Sequence, residues 1–323
     1  MRHIAFALMT ILFASPAWCA DIFVDNISGD DRNTGNAAAL KEGSTGPIFT
    51  IAKALRIALK GDRIVLKNTG VPYRESITLQ GANNSGLQYL PFIIEGNGAV
   101  LDGRANIPLD GWKHATGDIY CFAPTYKSYQ QLYIEDRPAE RAQIDNVADI
   151  IKLQPLQWSL VDGMIFFRAE KDHGPGSYNL TYSAQRTGIT LYEVRHVKIV
   201  DLTVQGFQLD GINVHSNCYH TDLIAVTSRG NGRSGVSVGG ASRATISKSL
   251  LGDNGTVQLR GEGFSTTTVI DCTLLDNTAP ATFQKDAKIE IDGKPISEPQ
   301  APQTARTPRP LSQPGAPGSP LQR

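Results

Sequence analysis

Cysteine is scarce in this chain: four residues in 323, with no two in a CxxC spacing. That excludes a zinc ribbon and a thioredoxin-type redox motif. Removal of a leader that includes Cys19 leaves an odd three, Cys121, Cys218 and Cys272, which form no disulfide framework. A surplus of charge is also missing, since 31 basic residues face 31 acidic ones. There is no basic field for nucleic acid and no acidic field for bulk cation binding. Long apolar runs are absent too: the stretch from Ile4 to Ala14 is too short to cross a bilayer, and no later segment does better. With no disulfides to staple it, the fold must rest on apolar burial and backbone hydrogen bonds.

What is present begins with a leader. MRHIAFALMTILFASPAWCA has a basic start, an apolar run and a small-residue exit, so residues 1–20 read as a signal peptide and the mature chain as secreted or periplasmic. The other end changes character near Pro295. Eight of the 18 prolines fall in residues 295–323, among Gln, Ser, Ala and Gly. Such a composition cannot bury enough surface to offset its ordering entropy, so residues 284–323 read as a C-terminal extension, disordered from about 295. Helical spacing occurs in 47-PIFTIAKALRIALKGDRIVL-66, where Ile51, Ala54, Leu55 and Ala58 recur on one face. Thr50 suits the N-cap, Gly61 suits the stop, and a short strand from Ile64 to Leu66 follows.

The second half repeats. The segments 201-DLTVQGFQLDGINV-214, 225-AVTSRGNGRSGVSV-238 and 248-KSLLGDNGTVQLRG-261 align, and 271-DCTLLDNT-278 begins a fourth copy. Asn231, Asn254 and Asn277 recur every 23 residues; Leu202, Val226, Ser249 and Cys272 recur at 24, 23 and 23. Ile212, Val236 and Val257 read as a third column. A period in this range, with short alternating strands between Gly, Asn and Asp turns, predicts a solenoid of parallel strands about 4.8 Å apart, each column a stack along the axis. The Asn column predicts a ladder of stacked amides. Cys272 reads as a small core residue in its column.

Together with 24-VDNISGDDRNTG-35, 47-PIFTIAKAL-55 and 61-GDRIVLKNTGVPYRESITL-79, these rungs resemble the secreted right-handed parallel β-helix proteins of the pectate-lyase-like superfamily. The resemblance covers roughly residues 21–280. It implies an all-β right-handed parallel β-helix over 21–283, with an N-terminal helix capping the open end of the coil, where a sheet edge would otherwise be exposed. It implies no single reaction, because the fold hosts lyases, hydrolases, epimerases and non-catalytic proteins. Between about 104 and 187 the rung pattern lapses. Alternation in 129-YQQLYIEDRPAERAQ-143 and 161-VDGMIFFRA-169 predicts a hairpin-rich insertion like that of some sugar-processing relatives. The 129–143 hairpin, apolar on alternate positions, is also a candidate oligomer surface; no oligomeric state is read from it. Among the insertion's aromatics, Trp112 and Tyr129 are candidates to stack on sugar rings.

Chemistry-bearing residues gather in 207-FQLDGINVHSNCYHTDLIAV-226. Inward Ile212 and Val214 put Asn213 and His215 outward, with Asp210 at the turn before them. Alignment puts Arg233 within reach of Asp210 and sets Arg260 level with His215 two rungs on. Asp210, His215, Arg233 and Arg260 are the candidate catalytic residues; Asn213, Tyr219, Arg229, Trp112 and Tyr129 are the candidate substrate contacts. A base beside arginines suits proton abstraction next to a uronate carboxylate, by a lyase or an epimerase. A hydrolase would need two carboxylates, Asp210 with Glu262 or Asp222. A non-catalytic glycan-binding or surface-structural solenoid is the alternative from another class. The expected partner in each case is an extracellular polysaccharide, with no nucleic acid and no membrane span. His215, His220 and Asp222 lack a spacing that fixes them on one face, so they read as surface decoration and no metal site is assigned. Calcium is a candidate ligand only for the turn carrying Asp25, Asp30 and Asp31, which also reads as an Asx-rich turn sealing the cap.

Overall fold

The computed structural model describes residues 19–296; the expected leader lies almost wholly outside them, and so does most of the C-terminal extension. The chain winds into a coil with two long parallel sheets as walls. The larger has twelve strands, and the other has six. The six-stranded wall is built from Ile77–Gln80, Ile189–Tyr192, Asp210–His215, Ser234–Val238, Val257–Glu262 and Thr282–Lys285. All of its pairings are parallel.

Columns hold the coil together. Ile22, Ile64, Ile94, Ile199, Leu223, Ile246, Val269 and Ile291 are register partners from one rung to the next on the large wall. Ile77, Ile189, Ile212, Val236 and Leu259 do the same on the six-stranded wall, and all five are buried. Burying each such side chain is worth about 1.5–3 kcal/mol. Leu259, and not Val257, occupies the column of Ile212 and Val236; Val257 pairs with Ser234. A two-residue slip keeps every side chain on its own face, so alternation in the sequence cannot detect it. The column of Leu202, Val226, Ser249 and Cys272 forms as read: the Val226 N–H donates to Ser249 Oγ at 3.0 Å, and the Ser249 N–H to Cys272 Sγ at 3.4 Å.

Corners recur as regularly as strands. Asp201, Ala225, Lys248 and Asp271, spaced 24, 23 and 23 residues, all have φ between 48° and 52°. Left-handed backbone costs a non-glycine residue about 1 kcal/mol or more. Here the rung-to-rung hydrogen bonds run through the bend, as from the Ala225 N–H to the Ser247 carbonyl at 2.9 Å. The asparagine ladder spans two rungs and stops. Asn231 Nδ2 donates to Asn254 Oδ1 at 3.0 Å, and both residues are fully buried. Asn277 is exposed and turns instead to Asp253, at 2.7 Å.

The helix Ile51–Ile57 covers the N-terminal end of the coil with Ile51, Ala54 and Leu55. Thr50 accepts from the Lys53 N–H, and Asp31 in turn accepts from the N–H groups of Phe49 and Thr50. At the other end the coil runs beyond residue 283. The strand Lys288–Ile291 adds a rung, and Ile289 enters the core.

Residues 104–183 leave the coil and build two four-stranded antiparallel sheets around a core of their own, with Trp158, Phe167, Ile165, Leu132 and Leu180 buried in it. The excursion falls between Ile94 and Ile199 in the sequence, yet these two remain neighbours in one column, with a bulge shifting the register only between Val200 and Leu202. Three links dock it. The Tyr133 hydroxyl, pushed well above its usual range by burial, donates to the Gly230 carbonyl. Gln208 donates to the Ser128 carbonyl. The carbonyls of Tyr129 and Gln208 take the space that a Cβ on residue 232 would need, so only glycine fits there.

Candidate functional site

The strand Asp210–His215 carries the richest set of polar groups, and its two ends differ. Asp210 is the first residue of the strand, not a turn residue, and it is fully buried. Arg233 grips its carboxylate through two nitrogens, with Nε–Oδ1 at 2.9 Å; Ser234 Oγ donates to Oδ1, and Asn213 Nδ2 to Oδ2 at 3.0 Å. The hydrogen bond to Asp210 raises the affinity of Arg233 for its proton, against the effect of burial. The predicted Asp210–Arg233 ion pair therefore exists, but as a sealed structural unit.

The other end is open. Register puts Asn213, Ser237, Arg260 and Phe283 in one outward column. Arg260 thus stacks over Asn213, and the expected alignment with His215 is two residues out, the same slip that misplaced Val257. Arg260 Nη1 lies 2.8 Å from Glu262 Oε1, and its guanidinium stands 4.7 Å from the centre of the Phe283 ring. Arg260 Nε is buried without a partner. The next outward column runs from Tyr192 through His215 to the position of Gly239 and then Glu262. His215 leans over Gly239, where a Cβ would stand 3.2 Å from Nδ1. His215 and Glu262 therefore flank a place with no side chain, two rungs apart, or about 10 Å. The charge of Glu262 adds to the proton affinity of Arg233. Tyr129, which is 42% exposed, is the insertion's contribution to the wall, but it sits at the Asp210 end, where its carbonyl abuts Gly232.

Two comparisons bear on the fold. Residues 177–296 match the family described as right handed beta helix region. The fold is a right-handed parallel β-helix. Among solved structures, a glycoside hydrolase superposes on this β-helix with a TM-score of 0.53 at 11% identity, covering 84% of this chain and 78% of its own. XylC in complex with xylose gives 0.44 at 11% identity, covering 84% and 70%. A pectate lyase gives 0.31 at 10%, covering 84% and 78%. Such identities speak to the fold alone. No curated protein sequence matches the chain.

The β-helix scatters the remaining candidates. Tyr219 belongs to the large wall, wedged between Arg195 and Arg243, whose guanidinium carbons lie 5.6 and 5.7 Å from its ring centre. Arg229 sits on the strand Thr227–Arg229, facing Asp253 at 3.8 Å. Trp112 is partly buried against Phe122 and Phe167 on the insertion's own core. His220 and Asp222 share the large wall, a corner away from His215, which dissolves the His215–His220–Asp222 grouping. The carboxylates of the N-terminal turn do not converge either. Asp25 takes Lys67 at 2.6 Å, Asp30 takes Arg32 at 2.7 Å, and Asp31 caps the helix. Among the described residues, no group of three or more His, Cys, Asp or Glu is placed to hold a metal ion. Sequence reasoning missed Gly239 and Phe283 as parts of the open face. A correct register would have found both, since each lies one rung from a residue already singled out.

Proposed function

We propose that this protein handles an acidic polysaccharide outside the cytoplasm, and that it acts on it by β-elimination or epimerisation at the open end of the six-stranded wall. The observation that carries this reading is the constellation of His215, Arg260 and Glu262 around the side-chain-free position of Gly239, bordered by Asn213. His215 takes the proton next to the uronate carboxylate, and Arg260 stabilises the charge that develops on that carboxylate. The electron pair then either expels the neighbouring glycosidic oxygen, which takes up the proton held by His215 or one from water, or recovers a proton from water on the opposite face while His215 returns its own to solvent. Hydrolysis fits less well. Asp210 has its carboxylate committed to Arg233, Ser234 and Asn213, and Asp222 stands on the other wall, so neither candidate pair, Asp210 with Glu262 or with Asp222, offers two free carboxylates. Non-catalytic glycan binding is the second reading, favoured by the fact that Arg233 and Arg260 each already hold a carboxylate.

The test is incubation of the mature protein with uronate polysaccharides, following the ultraviolet absorbance of an unsaturated uronate, proton exchange at the uronate carbon, and new reducing ends. Absorbance or exchange that disappears in His215→Ala supports the proposal. Reducing ends without absorbance would transfer the activity to hydrolysis. Binding with neither signal would establish the non-catalytic reading.

A further inference from the structure

The large wall carries a cleft that the proposed reaction does not use. It encloses about 540 Å³ and is lined by Gln88, Pro91, His196, Lys198, His220 and Asp222. A second cleft of about 370 Å³ adjoins it and shares His196; Lys60 and Arg195 lie along its wall. His196 and His220 stand 24 residues apart, one coil period, and their rings stack with centres 4.6 Å apart and planes within 3°. Both have left-handed backbone, φ 51° and 54°, which turns the two imidazoles the same way. The next rung turns its cation elsewhere, since the Arg243 guanidinium lies over the Tyr219 ring. The result is a basic patch around the His196–His220 stack, with Lys198, Arg195 and Lys60 beside it. Against it stand Asp222, 4.0 Å from Lys198, and Glu193 at the rim.

We propose that this cleft is a second, non-catalytic binding site for the carboxylate or sulfate groups of an acidic glycan chain, engaged when the stacked histidines are protonated. The assignment rests on the acidic-glycan reading of the ligand, but it uses a different wall and different residues. The physics follows from the stack. Two imidazoles at rung spacing repel once both are charged, and the surrounding cations add to that repulsion. In the free protein burial lowers the proton affinity of His196, and His220, Arg195 and Lys60 lower it further, while Asp222 opposes them weakly. An anion laid across the patch reverses the balance. Binding and protonation therefore reinforce each other, and affinity rises as pH falls through the histidine range. Parallel rings do not aim their lone pairs at one point, so the stack is unsuited to chelating a metal ion.

The experiment uses the mature protein carrying Arg260→Ala, which disables the proposed reaction face, and measures binding of oligogalacturonate and dextran sulfate at about pH 5.5 and 7.5. The expected result is affinity about tenfold tighter at the lower pH, the equivalent of one pKa unit on one histidine, and its loss in His196→Gln/His220→Gln. Three results overturn the proposal: no binding at the lower pH in the Arg260→Ala background, affinity independent of pH, or affinity retained in the double histidine variant. Inorganic sulfate is the control for a free-anion site. If it binds as tightly per charge as the polymer does, the glycan assignment falls. Turnover by the wild-type protein is read separately, so the reaction proposed above can fail while this one stands, and the reverse.

Discussion

The two ends of one short strand use the same chemistry for different ends. At its start, Asp210 and Arg233 form an ion pair whose carboxylate is fully buried, beside the insertion loop that carries Tyr129. At its end, Arg260 and Glu262 form a pair that reaches solvent, with the Glu262 side chain 42% exposed, next to the exposed His215. Charge that is sealed must be bonded completely, because each missing partner leaves an uncompensated ion in a medium that cannot solvate it. Charge that is open can exchange its partner for a ligand. The comparison teaches that identity in a row of polar residues does not mark a catalytic centre. The arginine closer to the aspartate is tied to a fully buried carboxylate, and the one two rungs away is tied to a carboxylate that solvent reaches.

Removing half of the sealed pair should have the largest effect. Arg233→Ala is expected to cost about 3–5 kcal/mol of stability, enough to unfold much of the protein, as read by urea denaturation. Replacing both partners together, as Asp210→Leu/Arg233→Met, should cost less than either single change. If Arg233→Ala alters stability by under about 1 kcal/mol, the sealed end is not what its geometry says. Arg260→Ala breaks the comparison from the other side. It is expected to leave the unfolding midpoint nearly unchanged, within about 1 kcal/mol, while lowering turnover about 10²-fold or more. A large stability loss here would make the two ends alike and would weaken the proposed role of Arg260.

How much of this was legible in the sequence depends on what a repeat can encode. The period, the inward columns and the helical cap are carried by local spacing, so Ile212, Val236 and Thr50 identify themselves. The fold followed from them. Register to within two residues does not follow, because Val257 and Leu259 are both apolar and both face inward. That single ambiguity moved Arg260 from Asn213 to His215. Corners are harder still. Tyr219, His220 and Asp222 follow His215 by only a few residues, but the left-handed backbone at Ser216 and Asn217 carries the chain around to another wall. A sequence stretch that looks like one cluster is thus divided between two faces. The partner of His220 proved to be His196, one full period earlier.

Acid should reach the held carboxylates after the free ones, and stability should fall as it does. Arg63 holds the Asp21 carboxyl below its ordinary range. For Asp25 and Asp102 burial works against ionisation, but Lys67 and Ser28 at the first, and Arg104 and Gln205 at the second, outweigh it. Folded-state values below the unfolded ones mean that this stabilisation is fully present above about pH 4 and is lost as pH falls through the folded values. Glu75, raised chiefly by burial, works in the opposite sense and blunts the loss. Unfolding midpoints measured from about pH 6 down to 2 should fall, and Asp25→Asn should flatten the curve. A wild-type curve that is flat below about pH 4 would show that these carboxylates are not held in the folded state.

The smallest predicted contrast lies within the asparagine column and repeats the same distinction between sealed and open. Asn254→Ala removes an acceptor shared by the Asn231 backbone and side chain, and it leaves Gln258 Oε1 with only the backbone N–H of residue 254 as donor in a fully buried corner. The expected cost is about 1–3 kcal/mol. Asn277 occupies the matching sequence position but is exposed and has left the ladder for the half-buried Asp253, so Asn277→Ala should change stability by no more than about 0.5 kcal/mol. Equal losses at the two positions would mean that the ladder extends through a third rung in solution, and that the last turn of the coil is as well sealed as those before it.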